Sequence, residues 1–177
     1  MPKGVSDVQA APPAAEGVVL QTTLAEVPVE AEAGSVELVD ETTLEAEDIT
    51  LRAGQPELLI EAKHSTWAMK TREAEFSGNV VATRGELVLR CDALKVKHEE
   101  KGAIQEAVAS GNVRIESQQW KATGSKAVLD QTSGSLVLTG TPRLQEGSNA
   151  LVGELIRVFL DDERVECEQC KLSIGAQ

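Results

Sequence analysis

The residues in this chain whose types and spacing could do chemistry begin with Cys167 and Cys170, near the C terminus. A redox pair at this spacing needs a helix N terminus to lower the thiol pKa, and a zinc site needs two further ligands. The surrounding residues have a strand pattern, in which positions three apart face opposite sides. Two alternatives therefore stay open for the pair, a local disulfide or two free thiols.

The two histidines, His64 and His98, are isolated from any Ser, Cys or carboxylate at the spacing of a catalytic triad. The glycines form neither GxGxxG nor GxxxxGK[ST], the motifs that cradle nucleotide phosphates. We therefore expect that the protein is not an enzyme and that it uses neither a cofactor nor a metal.

Composition narrows the choice of partner and of fold. The chain has 177 residues, a net charge of -12 and only 2% aromatic residues, which argues against binding to nucleic acid. A core built from Val, Leu, Ile and Ala suits strands. Residues 1–50 contain eleven acidic groups and one base, or -10, so that only -2 remains for residues 51–177.

The chain is expected to divide into two parts. Residues 1–35 are rich in Ala, Pro, Glu and Val and predict a disordered acidic tail, whereas residues 36–174 predict one β domain. No apolar run approaches the roughly 20 residues that cross a bilayer, and no secretory signal is visible. The expectation is either a cytoplasmic protein or one whose signal peptide has been removed.

The tetrapeptide SGNV occurs at 77–80 and at 110–113, and a degraded copy follows at 139–142. Around each central glycine, every second residue is apolar or small, and the intervening residues are largely polar. Side chains alternate across a strand, so each copy predicts a strand of roughly nine residues with its glycine in mid-strand on the buried face.

A second motif lies between these copies, at 89–96, 122–129 and 151–158, with an earlier instance at 44–51. In each instance the apolar alternation changes phase after a small third residue, which predicts a corner. The unit of strand, corner, strand and turn repeats every 29–33 residues. Such units predict a sheet folded over on itself, with one apolar interior and unpaired edges at its ends.

Several motifs resemble, in order, those of the LptA/OstA family, over residues 55–172. They are QP at 55–56 followed by Leu58 and Ile60, WAM at 67–69, FSGNV at 76–80, LRCDA at 89–93, LVLTG at 136–140 and GSNALVG at 147–153. The resemblance implies an all-β fold, an open, folded-over antiparallel β-jellyroll with the shape of a taco. The acidic N-terminal segment and the Cys167–Cys170 pair depart from the family pattern.

The same resemblance implies a function and partners. Members bind the lipid A acyl chains of lipopolysaccharide in an apolar groove and bridge its transport across the periplasm, from the inner to the outer membrane. The implied partners are similar β-jellyroll domains of LptC-like inner-membrane and LptD-like outer-membrane proteins, and further copies of the chain joined head to tail. The implied location is the periplasm.

The candidate lipid-binding residues are those predicted to face inward: Leu58, Ile60, Trp67, Met69, Phe76, Val80, Leu87, Leu89, Leu94, Val113, Ile115, Trp120, Leu138, Leu144, Ile156 and Val158. The small residues Ala74, Gly78, Ala107, Ala109 and Gly111 would leave width for acyl chains. Basic groups at Arg84, Lys95, Lys121 and Arg157 are candidates for contact with lipid phosphates.

An alternative keeps the fold and removes the ligand. The same inward-facing residues would then fill a dry core, and the protein would be a structural β-solenoid, a bactofilin-like scaffold that polymerises end to end.

Overall fold

The computed structural model describes residues 18–24, 27–40, 42–53, 58–99 and 104–175, and all regular structure in them is β. Fifteen strands form one antiparallel sheet. They are β1 (Val18–Leu24), β2 (Val27–Ala33), β3 (Ser35–Asp40), β4 (Thr43–Ala53), β5 (Leu58–Ala68), β6 (Glu73–Arg84), β7 (Leu87–His98), β8 (Ile104–Glu116), β9 (Lys121–Asp130), β10 (Ser135–Thr139), β11 (Arg143–Glu146), β12 (Asn149–Val152), β13 (Leu155–Phe159), β14 (Arg164–Glu168) and β15 (Lys171–Ser173).

The sheet is folded into two facing walls. Wall A contains β1, β2, β11, β12 and β15, wall B contains β3, β10, β13 and β14, and the long strands β4 to β9 pass from one wall to the other. Among the described strands, β1 and β3 at one end do not pair with β14 and β15 at the other, so the sheet does not close. The predicted all-β, open, folded-over antiparallel jellyroll is therefore confirmed.

The two walls meet along a line of corners. In β6 and β8 the corner is a one-residue bulge at Gly78 and at Gly111, where the register with both neighbouring strands shifts. Each glycine and the asparagine after it have a positive φ, between 47° and 82°. Glycine takes this conformation without steric cost, and a bulge that starts on such a glycine bends its strand.

The neighbouring strand fills the space that the glycine leaves open. A Cβ added at Gly111 would lie only 2.8 Å from the Cβ of Asp92 in β7. The carboxylate of Asp92 also accepts a hydrogen bond from Nδ2 of Asn112, at 2.9 Å. SGNV and the second motif, which contains Asp92, thus lie on neighbouring strands and form one corner together.

This arrangement corrects one detail of the sequence analysis, which placed the corners in the second motif alone. The SGNV glycine is in mid-strand as predicted, but the chain turns there. It is half-buried rather than on the buried face, and an added Cβ at Gly78 or Gly111 would meet the exposed side chain of Lys63 or Asp92. Residues 74, 76, 80 and 82, on both sides of Gly78, are all buried. Gly78 and Asn79 both have a left-handed backbone conformation, and together they turn the strand while the same alternate positions continue to face inward. The apolar alternation in the sequence therefore gave no sign of the turn.

The core is a single apolar cluster between the walls. Its largest fully buried side chains include Phe76, Ile60 and Leu138. Near one end of the interior, the rings of Trp67 and Phe76 are 5.7 Å apart in an edge-to-face arrangement, a favoured aromatic geometry. The indole Nε1 of Trp67 donates a hydrogen bond to the buried hydroxyl of Ser65, at 3.0 Å.

At the N-terminal end, two strands fall within the segment that composition predicts to be disordered. β2 pairs with β4 in wall A, and β1 pairs with β2 over seven residues. Residues 1–17 and 25–26 lie outside the described residues. Backbone pairing along the edge of an existing sheet supplies hydrogen bonds that the amino-acid composition does not reveal. The boundary between a tail and a domain at residues 35 and 36 stays a prediction.

The corner packing predicts a specific effect of the Gly111→Ala substitution. A positive φ costs a non-glycine residue about 1–2 kcal/mol, and a Cβ pressed against Asp92 adds an overpacking cost of about 1–3 kcal/mol. Gly85→Ala is the matched control, because Gly85 also has a positive φ and nothing lies within 4 Å of an added Cβ. Urea denaturation should show a larger loss of unfolding free energy for Gly111→Ala, and equal losses would contradict the corner contact.

Cys91, which is buried in the corner beside Asp92, should be nearly inert. Its burial, and secondarily the negative charge of Asp92, raise its pKa from 9.0 to about 11. A two-unit rise lowers the thiolate fraction about 100-fold at pH 8, and the thiolate is the form that reacts. Iodoacetamide should therefore modify Cys91 at least about 100-fold more slowly in the folded chain than in urea. Similar rates would mean that the corner opens readily.

Candidate functional site

The candidate site is the interior between the two walls. Fifteen of the sixteen residues predicted to face inward belong to the apolar cluster that fills it. Ten of them are buried: Ile60, Phe76, Val80, Leu94, Val113, Ile115, Leu138, Leu144, Ile156 and Val158. Five are half-buried against the cluster: Leu58, Trp67, Leu87, Leu89 and Trp120.

Met69 is the exception among the predicted residues. It lies in the turn after β5, outside the cluster, and its backbone N–H donates a hydrogen bond to the carbonyl of Thr42 at 2.9 Å. The alternating pattern that includes Trp67 ends at Ala68, the last residue of β5. A residue beyond the end of a strand no longer follows the alternation, which is why the sequence pattern extended one position too far.

The interior is hollow in one region. An apolar cavity of about 60 Å³ lies between the walls, lined by Leu87, Leu89, Leu94, Ala107, Ala109, Ile115, Ala127, Leu129, Leu136 and Leu160. The lining is almost entirely apolar and offers a polar group no hydrogen-bond partners. The site can therefore accept aliphatic groups and has no means of fixing a polar one.

The position of the cavity follows from side-chain size. Ala109 stands between Leu94 and Ala127 in the register of β7, β8 and β9, so two neighbouring inward positions carry only a methyl group. The corresponding part of the interior nearer the N terminus is filled by Phe76 and Trp67. Alanine thus leaves the gap that the aromatic pair closes elsewhere.

Sequence reasoning missed some of the lining. Ala127 and Leu129 follow the corner in β9, and the phase change that the second motif shows there was a usable signal for them. Leu160 had no such signal, because it lies in the turn after β13. Its backbone N–H donates to the carbonyl of Gly134 at 3.0 Å, and this contact brings its half-exposed side chain to the rim of the cavity.

The apolar inner surface continues to both ends of the sheet. Leu38 of β3 pairs with the buried Leu44, and Val165 of β14 pairs with the buried Val158, so both face the interior. Leu172 of β15 is opposite Leu151 on the same inner surface. These three residues are nevertheless 60%, 40% and 63% exposed, because no further strand among the described residues covers them.

Three of the four basic residues considered for phosphate contact lie on the outer surfaces. Lys95, Lys121 and Arg157 each lie 3.4–3.9 Å from a glutamate carboxylate there. In the described part of the chain, every buried side-chain N or O atom has a hydrogen-bond partner, and no group of three or more His, Cys, Asp or Glu could hold a metal. No helix in that part has the length and hydropathy to span a bilayer.

The two C-terminal cysteines are joined. Cys167 and Cys170 form a disulfide with their Cα atoms 5.9 Å apart, across the corner between β14 and β15. Gln169 between them has a φ of 50°, which turns the chain and brings the two sulfurs to the same side. The strand geometry assumed from the sequence, with the two side chains on opposite faces, does not hold at this corner.

Comparisons with known proteins agree with this architecture. No curated protein matches the chain. A solved structure that matches it is LptH from Pseudomonas aeruginosa, described as the LptA homologous periplasmic component of the lipopolysaccharide transport device. The match has a TM-score of 0.58 and 18% sequence identity, and it covers 88% of this chain and 100% of LptH. At that identity the likeness establishes the fold.

Family membership follows from a match between the amino-acid sequence and a protein family. Residues 59–164 match the family described as LptA/(LptD N-terminal domain) LPS transport protein. The matched range runs from β5 to the start of β14 and includes the corners in β6 to β9 and the complete lining of the cavity. This chain belongs to the LptA/LptD N-terminal domain family of lipopolysaccharide transport proteins.

Proposed function

We propose that the interior between the walls binds the lipid A acyl chains of lipopolysaccharide, and that the protein is one link of a bridge that carries this lipid across the periplasm. The observation that carries the proposal is the predominantly apolar inner surface, with a cavity in the middle and exposed apolar residues at both ends. Family membership supports the same assignment.

The energetics favour an aliphatic ligand. Each methylene that moves from water into the interior contributes about 0.8 kcal/mol, before the cost of ordering the chain is subtracted. A cavity of about 60 Å³ is too small for a whole acyl chain. Binding therefore requires the walls to move apart, with acyl carbons taking over contacts that side chains such as Leu87 and Leu136 now make across the gap. The open sides of the folded sheet permit this movement, because the strands that the structure describes join the two walls along the corners alone.

The ends of the sheet support assembly with similar domains. Wall B contains ten strands from β3 to β14, and every neighbouring pair among them is antiparallel, so β3 and β14 run in opposite directions. A second copy, moved along the stack without rotation, would place its β3 antiparallel beside β14. The inward-facing Leu38 and Val165 would then be covered, and the two interiors would become continuous.

The same edges suit other β-jellyroll domains. We propose LptC-like and LptD-like domains as the partners at the inner and outer membranes, and the periplasm as the location. An unpaired strand edge offers backbone donors and acceptors to any strand of matching direction, and inner-surface residues add specificity. LptH, which shares the fold, is itself described as periplasmic.

Photo-crosslinking tests lipid binding. A benzophenone side chain at Leu89, which lines the cavity, should label lipopolysaccharide at least about tenfold more strongly than one at Val88, because neighbouring strand residues face opposite sides. Val88 pairs with Thr83 and Glu116 and faces outward. The two positions therefore differ mainly in the face of the sheet from which the side chain projects. The readout is the amount of the lipid adduct on a gel. Equal labelling would contradict the groove, and no labelling of a chain that still assembles would favour the structural scaffold.

Sedimentation velocity tests the end contact. Leu38→Glu places a charge on the inner surface of β3, at the proposed junction, and should raise the dissociation constant for self-association at least about tenfold. Val137→Glu is the matched control, with the same change of charge on the outer face of β10, two strands in from the β14 edge of wall B and opposite Arg157. If both variants associate like the parent chain, the junction does not involve β3.

A further inference from the structure

The last corner of the sheet is built differently from those in the middle. The corners at Gly78, Gly111 and Gly140 each begin with a glycine of positive φ, followed by a second residue of positive φ. At the last corner, between β14 and β15, Glu168 occupies the glycine position, and Gln169 alone has a positive φ. The disulfide between Cys167 and Cys170 spans this corner.

The disulfide also packs into the preceding layer. A Cβ added at Gly153, in the corner between β12 and β13, would lie 2.7 Å from Sγ of Cys167 and 3.0 Å from Sγ of Cys170. The amide of Glu154 donates a hydrogen bond to the carbonyl of Glu168 at 3.0 Å. The two sulfurs thus pack directly against the backbone of Gly153, the position that aligns with Cys91 in the second motif.

The strands on either side of this corner have little other support. Within the described residues, β14 pairs with β13 over five residues, and β15 pairs with β12 over three. Asp48 in β4 is also a single non-glycine residue of positive φ at a corner, but β4 has paired neighbours on both sides. Short edge strands with one neighbour open easily, so a covalent link at this corner has a large share in keeping the edge ordered.

We propose that the Cys167–Cys170 disulfide is a redox latch on the C-terminal edge. Closed, it holds β14 in wall B and β15 in wall A at the angle at which the inner surface around Val165 and Leu172 can dock on a second β edge. Open, it lets both strands separate from the sheet. This inference rests on the proposed function for its docking partner, but the opening of the edge itself does not.

The chemistry is a thiol–disulfide exchange with a dithiol. Cys170 is exposed and Cys167 is half-buried, so the thiolate of the external dithiol attacks Sγ of Cys170 and releases Cys167 as a thiolate, which takes up a proton. The second thiol of the dithiol then displaces Cys170 from the mixed disulfide. In sum, the two protein sulfurs gain two electrons and two protons, and the dithiol becomes a disulfide. A disulfide oxidant reverses the reaction.

Hydrogen exchange measured by mass spectrometry tests the latch on the full chain. Reduction with dithiothreitol should speed exchange in residues 160–175 by roughly tenfold or more, since local opening controls exchange at an edge. Residues 104–116, in the middle of the sheet, should keep their protection and so show that the fold is intact. Unchanged exchange in 160–175 would overturn the proposal, and so would an equal loss of protection in both segments, which would make the disulfide a global stabiliser.

The control is the double variant Cys167→Ser/Cys170→Ser. It should exchange like the reduced parent with or without dithiothreitol, and any further response to the reductant in residues 160–175 would overturn the assignment to this disulfide. Sedimentation velocity of the oxidised and reduced parent then separates the two proposals. Weaker association after reduction supports a latch on docking. If the oxidised chain does not associate at all, the proposed end contact fails, and the exchange result still decides whether the disulfide orders the edge.

Discussion

A single sheet with one apolar side can bury that side only against itself, and the rest of this structure depends on that constraint. The bend has to cross every long strand at the same level, or the hydrogen bonds between neighbours would be lost. Gly78 and Gly111 make this feasible, because their left-handed conformation bends two strands while the intervening β7 supplies Asp92 to fill the space. The corner is therefore a cooperative feature of neighbouring strands rather than a property of one tetrapeptide.

Much of the architecture was predictable, because period-two alternation and a repeat of about thirty residues are strong signals for stacked strands. The same alternation identified fifteen interior residues that the structure places in one cluster. It could not show the turn at SGNV, where two left-handed residues preserve the alternation, nor Leu160, which reaches the cavity from a turn. The pairing of β1 and β2 onto wall A was also beyond it, because edge pairing depends on backbone groups more than on side-chain composition.

The interior combines two regions with different capacities. Trp67 and Phe76, on neighbouring strands of wall B, fill the interior near one end, whereas alanines at 107, 109 and 127 leave it loosely packed farther along. Aliphatic side chains make no directional bonds across the gap. Their contacts with each other can therefore be replaced by contacts with a flexible aliphatic chain. A carrier needs this kind of surface, since its cargo has to leave as readily as it enters.

The alignment of the corners makes the length of the molecule a modular quantity. The two SGNV copies are 33 residues apart and are separated by one strand, so each unit adds two strands to both walls. At the usual separation of neighbouring strands, one unit extends the interior by about 9.6 Å. Duplication or loss of such a unit would leave the cross-section and both ends unchanged. Evolution could therefore change the length of one protomer without changing the cross-section of its interior or the surfaces at its two ends.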